Sequence, residues 1–133
     1  GMLAQAAKKV PGARLGRADI RGPWPAGFSG PYDRIVSSYT FHHLDLREKI
    51  ALLVRLFSEN LTPQGRIVVG DVCFATSLAL RAARELAGDD WDDTEHYWAA
   101  EETLAACREA HLQARHEQIS CCAGVFHFCR PGP

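Results

Sequence analysis

Between Tyr32 and Asp71 the spacing of apolar positions changes twice. Ile35 and Val36 follow the polar pair Asp33-Arg34 as a short β-branched run. Such a run predicts a strand covered on both faces, left through Ser37-Ser38-Tyr39. From Arg47 onward Ile50, Leu53, Val54, Phe57 and Leu61 recur at three- and four-residue steps, one stripe of an amphipathic helix spanning 45–61. Asn60 and Thr62-Pro63 end it, because proline disfavours helix in the residue before it and cannot continue one. Gly65 then permits a turn, and Arg66-Ile67-Val68-Val69-Gly70-Asp71 predicts a second buried strand. A strand, helix and strand at this spacing form the right-handed βαβ unit of an open parallel sheet, so the fold class is α/β.

The flanks add elements at both ends. Met2–Lys9, rich in alanine and lysine, predicts a short helix stopped by Val10-Pro11-Gly12, and Arg14–Asp19 reads as a short strand around Leu15. The glycine- and proline-rich stretch 22–31 is a loop, pinned by Trp24 and Phe28; it suits a ligand-facing loop or a plain connection equally. Past Asp71, Ser77 suits the N-cap of a helix over Leu78–Ala87 that Gly88 ends. An acidic and aromatic stretch, 89–98, interrupts the pattern. A further helix runs from about Ala99 to Ala110, with Leu104, Cys107 and His111 along one side. Leu112–Ser120 and Ala123–Cys129 predict two closing strands.

Composition narrows the class without naming a chemistry. The 133 residues suit one domain, 1–133, with an ordinary 47% hydrophobic and 23% charged share. A net charge of −1 gives no electrostatic case for nucleic acid or an anionic membrane. Five cysteines without a secretory signal point to free thiols in the cytoplasm. No apolar run approaches the ~20 residues that a spanning helix needs. Gly1 before Met2 reads as a remnant of tag cleavage; Met2 is either a true start or a methionine internal to a longer product. No C-x-x-C occurs, and no H-x₃-H stands with a cysteine pair. Cys121 and Cys122 are adjacent, so on a strand they face opposite ways. The spacings therefore predict no metal site.

D-R-I-V-S-S-Y-T-F-H-H-L at 33–44, the L-x-P-x-G turn at Leu61–Gly65 and I-V-V-G-D at 67–71 together resemble the class I S-adenosylmethionine-dependent methyltransferases. Met2–Ala13 followed by Arg14–Asp19 is similar to the segment after that family's second strand. The resemblance implies a Rossmann-like open sheet that ends in an antiparallel hairpin. It also implies S-adenosylmethionine as cofactor and a small-molecule methyl acceptor. The family opens with a strand, a glycine-rich loop and a second strand ending in an acid, and this sequence begins after all three.

Residue by residue, Asp19 and Ile20 resemble the pair that contacts the adenine, a carboxylate accepting from the exocyclic amine and a backbone N–H reaching a ring nitrogen. Asp19 suits a turn or cap equally. Ser38 and Tyr39 resemble the positions lining the methionine end of the cofactor, or else serve packing and the turn. His42 and His43 belong to the loop beside the transfer site; His43 is the candidate base and His42 a candidate substrate contact, against loop packing or capping of the following helix. Asp71, on the same rim, is a second candidate substrate contact or a loop-stabilising acid. Trp91, Tyr97 and Trp98 form one wall of a substrate pocket or a cap over the sheet.

Without the family's first two strands, Arg34–Ser38 is an exposed sheet edge. It is covered either by a second copy in a homodimer, the favoured arrangement, or by the N-terminal segment folding back. Lacking the glycine-rich loop and the ribose-binding acid, the chain is expected to bind S-adenosylmethionine weakly. The two functional readings are a small-molecule methyltransferase and a non-catalytic, dimerising α/β module.

Overall fold

In the computed structural model, which describes residues 1–132, the chain divides into two compact units, Gly1–Gly30 and a second from Pro31 onward. The first unit carries the expected helix α1 (Met2–Lys9), whose residues are all exposed or half-buried. It carries no strand: residues 14–19 are irregular. A strand needs a hydrogen-bonding neighbour, and Gly1–Gly30 offers none. Side chains organise the segment instead. The Arg14 guanidinium lies 5.1 Å from the centre of the Phe28 ring, and Gly16 lies so close to that ring that a Cβ would stand 2.9 Å from it. Trp24 and Phe28 are half-buried, as expected of residues that pin a loop.

The second unit is built on one long strand. In chain order its elements are β1 (Tyr32–Ser38), α2 (Leu46–Glu59), β2 (Leu61–Phe74), α3 (Ser77–Ala87), β3 (Trp98–Ala99), α4 (Ala100–Glu109), β4 (Gln113–Gln118) and β5 (Ala123–Cys129). The sheet order is β1-β2-β5-β4, with the short β3 also paired to β2. β1 and β3 run parallel to β2, while the β4–β5 hairpin is antiparallel. The result is a mixed, open α/β sheet.

Alternation along β2 decides which face is core. Ile67, Val69 and Cys73 are wholly buried and Asp71 nearly so, while Val68, Gly70 and Val72 between them are half-exposed. Phe126 and Phe128 of β5 join the buried face, and Trp98 lies over them with ring centres 4.8 and 6.4 Å away. The opposite face carries the register row Val36–Val68–His127–Arg115. Burial on both faces, expected from the apolar runs, does not hold. β1 is an edge strand with Ile35 half-buried and Val36 74% exposed.

α2 is placed by its cap. Asp45 accepts from the Glu48 N–H at 2.8 Å, and the Glu48 carboxylate accepts from the Asp45 N–H at 2.9 Å, a capping box that starts the helix at Leu46. Leu52, Leu53, Leu56 and Phe57 then face the sheet together with Lys49. Leu53 and Phe57 match the sequence stripe, whereas Val54 is 43% exposed and Leu61 already belongs to β2. Thr62–Gly65 bulges between the Tyr32–Leu61 and Arg34–Arg66 register pairs. A Cβ on Gly65 would stand 2.8 Å from Leu61, so this bulge requires glycine. α3 begins one residue earlier than the pattern suggested, because Thr76 rather than Ser77 caps it by accepting from the Ala79 N–H.

Candidate functional site

The end of β1 turns sharply. Tyr39 takes a left-handed φ of 50°, unusual for a residue with a Cβ, and donates its N–H to the Gly70 carbonyl at 3.0 Å. A 3₁₀ turn over Phe41–His43 follows, and it drops Phe41 and His42 into the core while His43 stays exposed. Ser38 and Tyr39 thus lie at the rim of the sheet, both exposed.

Asp71 anchors the site. One carboxylate oxygen accepts from His42 Nδ1 at 2.7 Å and from the Val72 N–H at 2.9 Å. The other accepts from the His42 backbone N–H at 2.9 Å and from the Trp98 indole at 3.2 Å. Four donors on one buried carboxylate satisfy it without bulk water. A carboxylate only accepts, so His42 carries its proton on Nδ1 and turns Nε2 outward. That nitrogen lies 3.6 Å from a Glu95 oxygen. Glu95 is brought there by its neighbour, because the His96 N–H donates to the His42 carbonyl at 2.7 Å and clamps the 95–96 backbone onto the turn. Among the described residues, His42, His43 and Glu95 each place a donor atom within 4.8 Å of the others.

Lys49 lies beneath this cluster. Its ammonium stands 4.3 Å from the centre of the Trp98 ring and donates to the His96 carbonyl. Burial pulls its pKa from the ordinary 10.5 down to about 8, against the opposing charges of Asp71, Cys73 and Asp45. Burial likewise pushes the Cys73 thiol up to about 12, opposed by Lys49 and assisted by Asp71. A hydrogen bond to Glu95 raises the Tyr97 hydroxyl to about 12. A cleft of about 440 Å³ opens beside these groups, lined by Lys49, Arg84, Trp91, Glu95, Tyr97 and Thr103. Trp91 and Tyr97 meet edge to face in its wall with centres 5.0 Å apart.

The structure therefore brings His42, His43 and Asp71 together. Asp19 and Ile20 lie in the Gly1–Gly30 unit, beside a separate cleft of about 280 Å³ that also includes Trp24 and Phe28. The Asp19 carboxylate accepts from the Arg21 N–H at 2.9 Å, an Asx turn. Trp98, expected in a pocket wall or as a cap over the sheet, lies over Phe126 and Phe128 and donates to Asp71. Lys49 and Glu95 are not singled out by any motif in the sequence. Lys49 occupies a core-facing position of α2, next to the stripe residue Ile50 and one turn before Leu53, which was the available signal for it.

No protein-family model matches the chain. An uncharacterized methyltransferase of Oceanobacillus iheyensis is 39% identical over 82 residues, covering 62% of this chain and 37% of that protein. One of Geobacillus kaustophilus is 38% identical over 87 residues, covering 61% and 40%. The chain thus spans about two fifths of these curated relatives. Among solved structures, DhpI in complex with SAH (S-adenosylhomocysteine) superposes with a TM-score of 0.70 at 15% identity, covering 99% of this chain and 62% of that one. The mitomycin 7-O-methyltransferase MmcR gives 0.67 at 14%, covering 98% and 38%. Magnesium protoporphyrin IX methyltransferase from Synechocystis, with bound SAH, gives 0.61 at 14%, covering 96% and 57%. The fold is a Rossmann-like open sheet. It is the fold of the class I S-adenosylmethionine-dependent methyltransferases, and the chain's sequence relatives carry the methyltransferase name.

Proposed function

We propose that the chain belongs to an S-adenosylmethionine-dependent methyltransferase acting on a small molecule. The observation that carries this reading is the rim cluster His42–Asp71, built on a fold whose neighbours include SAH complexes. Mitomycin and magnesium protoporphyrin IX, named for two neighbours, are small acceptors. In this reading Ser38 and Tyr39, at the rim beyond β1, line the methionine end of the cofactor. The acceptor lies beside the cluster against His42. Asp71, expected as a second substrate contact, is buried with four donors on its carboxylate and holds His42 instead of touching the acceptor. Methyl transfer from sulfonium to an in-line nucleophile depends mainly on orientation, which the rigid Asp71 network supplies. His42 has one ring nitrogen on Asp71 and the other facing Glu95, so exposed His43 is the group assigned to take the acceptor's proton.

Cofactor binding by these residues alone is proposed to be weak, since β1 pairs on one side only and no strand precedes it among the described residues. Titration with SAH, followed by calorimetry and thermal shift, tests both parts. Affinity weaker than micromolar is expected. Micromolar binding would overturn the impairment. No binding at millimolar SAH would instead favour the second reading, a non-catalytic dimerising module.

That second reading has its own support in the β1 edge, which pairs on one side only and exposes Val36. We propose that two copies associate through Arg34–Ser38 in either case.

A further inference from the structure

We propose that His42 Nε2, His43 and Glu95 form a binding site for a divalent transition-metal ion of the zinc class. The starting point is an imidazole with a carboxylate at each nitrogen. Asp71 accepts from Nδ1, which leaves Nε2 directed toward the Glu95 oxygen at 3.6 Å. That separation exceeds the ~2.7–3.2 Å of an N–H···O bond. A proton on Nε2 or a metal ion between the two atoms makes their approach favourable, and the length of the gap suits the metal ion. Two ligands each about 2.0–2.2 Å from one ion and some 110–120° apart lie about 3.3–3.8 Å from each other, which the gap matches.

Three further features belong to a built site. Metal-binding histidines generally donate their other nitrogen to a carboxylate, fixing tautomer and ring orientation, and Asp71 does this for His42. Asp71 is itself immobilised by the Trp98 indole and two backbone N–H groups. Glu95 is oriented twice, by the Tyr97 hydroxyl at its carboxylate and by the His96–His42 backbone bond that docks its segment. The third donor comes from His43, whose ring centre is 4.3 Å from that of His42. The donor atoms of the three residues all lie within 4.8 Å of one another.

Two imidazoles and one carboxylate suit zinc, cobalt or iron(II) and leave at least one coordination position open. An ion there would hold the 91–97 segment against the rim and present the open position to water or an acceptor oxygen. When loaded, His43 is a ligand, and polarisation of a bound hydroxyl takes the place of proton abstraction. The site itself rests on the three side chains and not on the methyltransferase reading.

Cobalt(II) titration of the whole 133-residue chain, without cofactor or acceptor, tests the site by its visible ligand-field bands. Binding with nitrogen and oxygen ligands is expected, with displacement by zinc. His43→Ala and Glu95→Gln alter exposed or half-buried groups, so circular dichroism should confirm an intact fold. Each should weaken binding at least about 10-fold, the loss seen even for outer-shell partners. Three outcomes would overturn the proposal: no binding at millimolar cobalt, binding unchanged in both variants, or a sulfur charge-transfer band that assigns the metal to the thiols.

Discussion

His42 and Asp71, 29 residues apart in sequence, meet twice: the carboxylate takes the imidazole Nδ1–H on one oxygen and the backbone N–H of the same residue on the other. A side chain and its own main chain are thereby held by a single acid. Removing that acid strands several donors at once. Asp71→Ala should destabilise the chain by about 3–5 kcal/mol, the range for breaking a buried charged network. Asp71→Asn keeps one acceptor oxygen and should cost less, about 1–3 kcal/mol. Urea denaturation of both variants measures the difference, and equal costs would mean that the hydrogen bonds to Asp71 contribute little.

The lowered pKa of Lys49 predicts a pH dependence. Between about 8 and 10.5 the unfolded chain holds this proton and the folded chain has released it. Stability from this group therefore rises with pH across that window, by about 3 kcal/mol in all. Cys73 acts oppositely, because its folded pKa of about 12 lies above the ordinary 9.0, so its contribution is lost as pH rises past 9.0. Comparison with Lys49→Met largely cancels the cysteine effect. The variant should be the more stable relative to wild type near pH 8, and the advantage should shrink toward pH 10.5. A difference independent of pH would show that Lys49 titrates normally in the fold.

Leu53 and Val54 separate the two possible phases of α2. Leu53 is fully buried and Val54 is 43% exposed. Leu53→Ala should cost about 2–5 kcal/mol, whereas Val54→Ala should stay within about 1 kcal/mol. Paired thermal melts read this directly.

At the start of α3, Thr76→Ala removes the side chain that accepts the Ala79 N–H, and should cost about 1 kcal/mol. Replacement by Ser keeps the acceptor and should recover most of the loss in the same melt.

For the β1 edge, Val36→Lys places a charge at the middle of the exposed strand. Light scattering should find wild type dimeric and the variant monomeric. A monomeric wild type would remove the edge as an interface.

The backbone plan was largely legible because it rests on local signals: α1, the β1–α2–β2 unit, α4 and the closing hairpin all follow from period and punctuation. The strand expected at Arg14–Asp19 failed because a strand is made by its neighbour, and its own alternation is weak. The phase of α2 was read half correctly. Lys49 counts as polar in any hydropathy pattern, yet its stem lies in the core and its ammonium rests on Trp98. The site was legible only as far as its residues sit side by side. His42 and His43 drew attention as a pair, and Asp71 as a strand end. Glu95 did not, since it arrives on a different segment through a backbone bond from His96 that no spacing rule anticipates.

The antiparallel return of β5 has a practical consequence. Cys129 pairs with Arg66 and Gly124 with Asp71, so β5 ends beside the start of β2, roughly 17 Å along the sheet from the rim. A fluorophore, affinity handle or surface tether attached after β5 would therefore sit at the far end from His42, Asp71 and Glu95. Immobilised in this way, the protein would present those residues to the bulk solution, where small molecules could be screened against them directly.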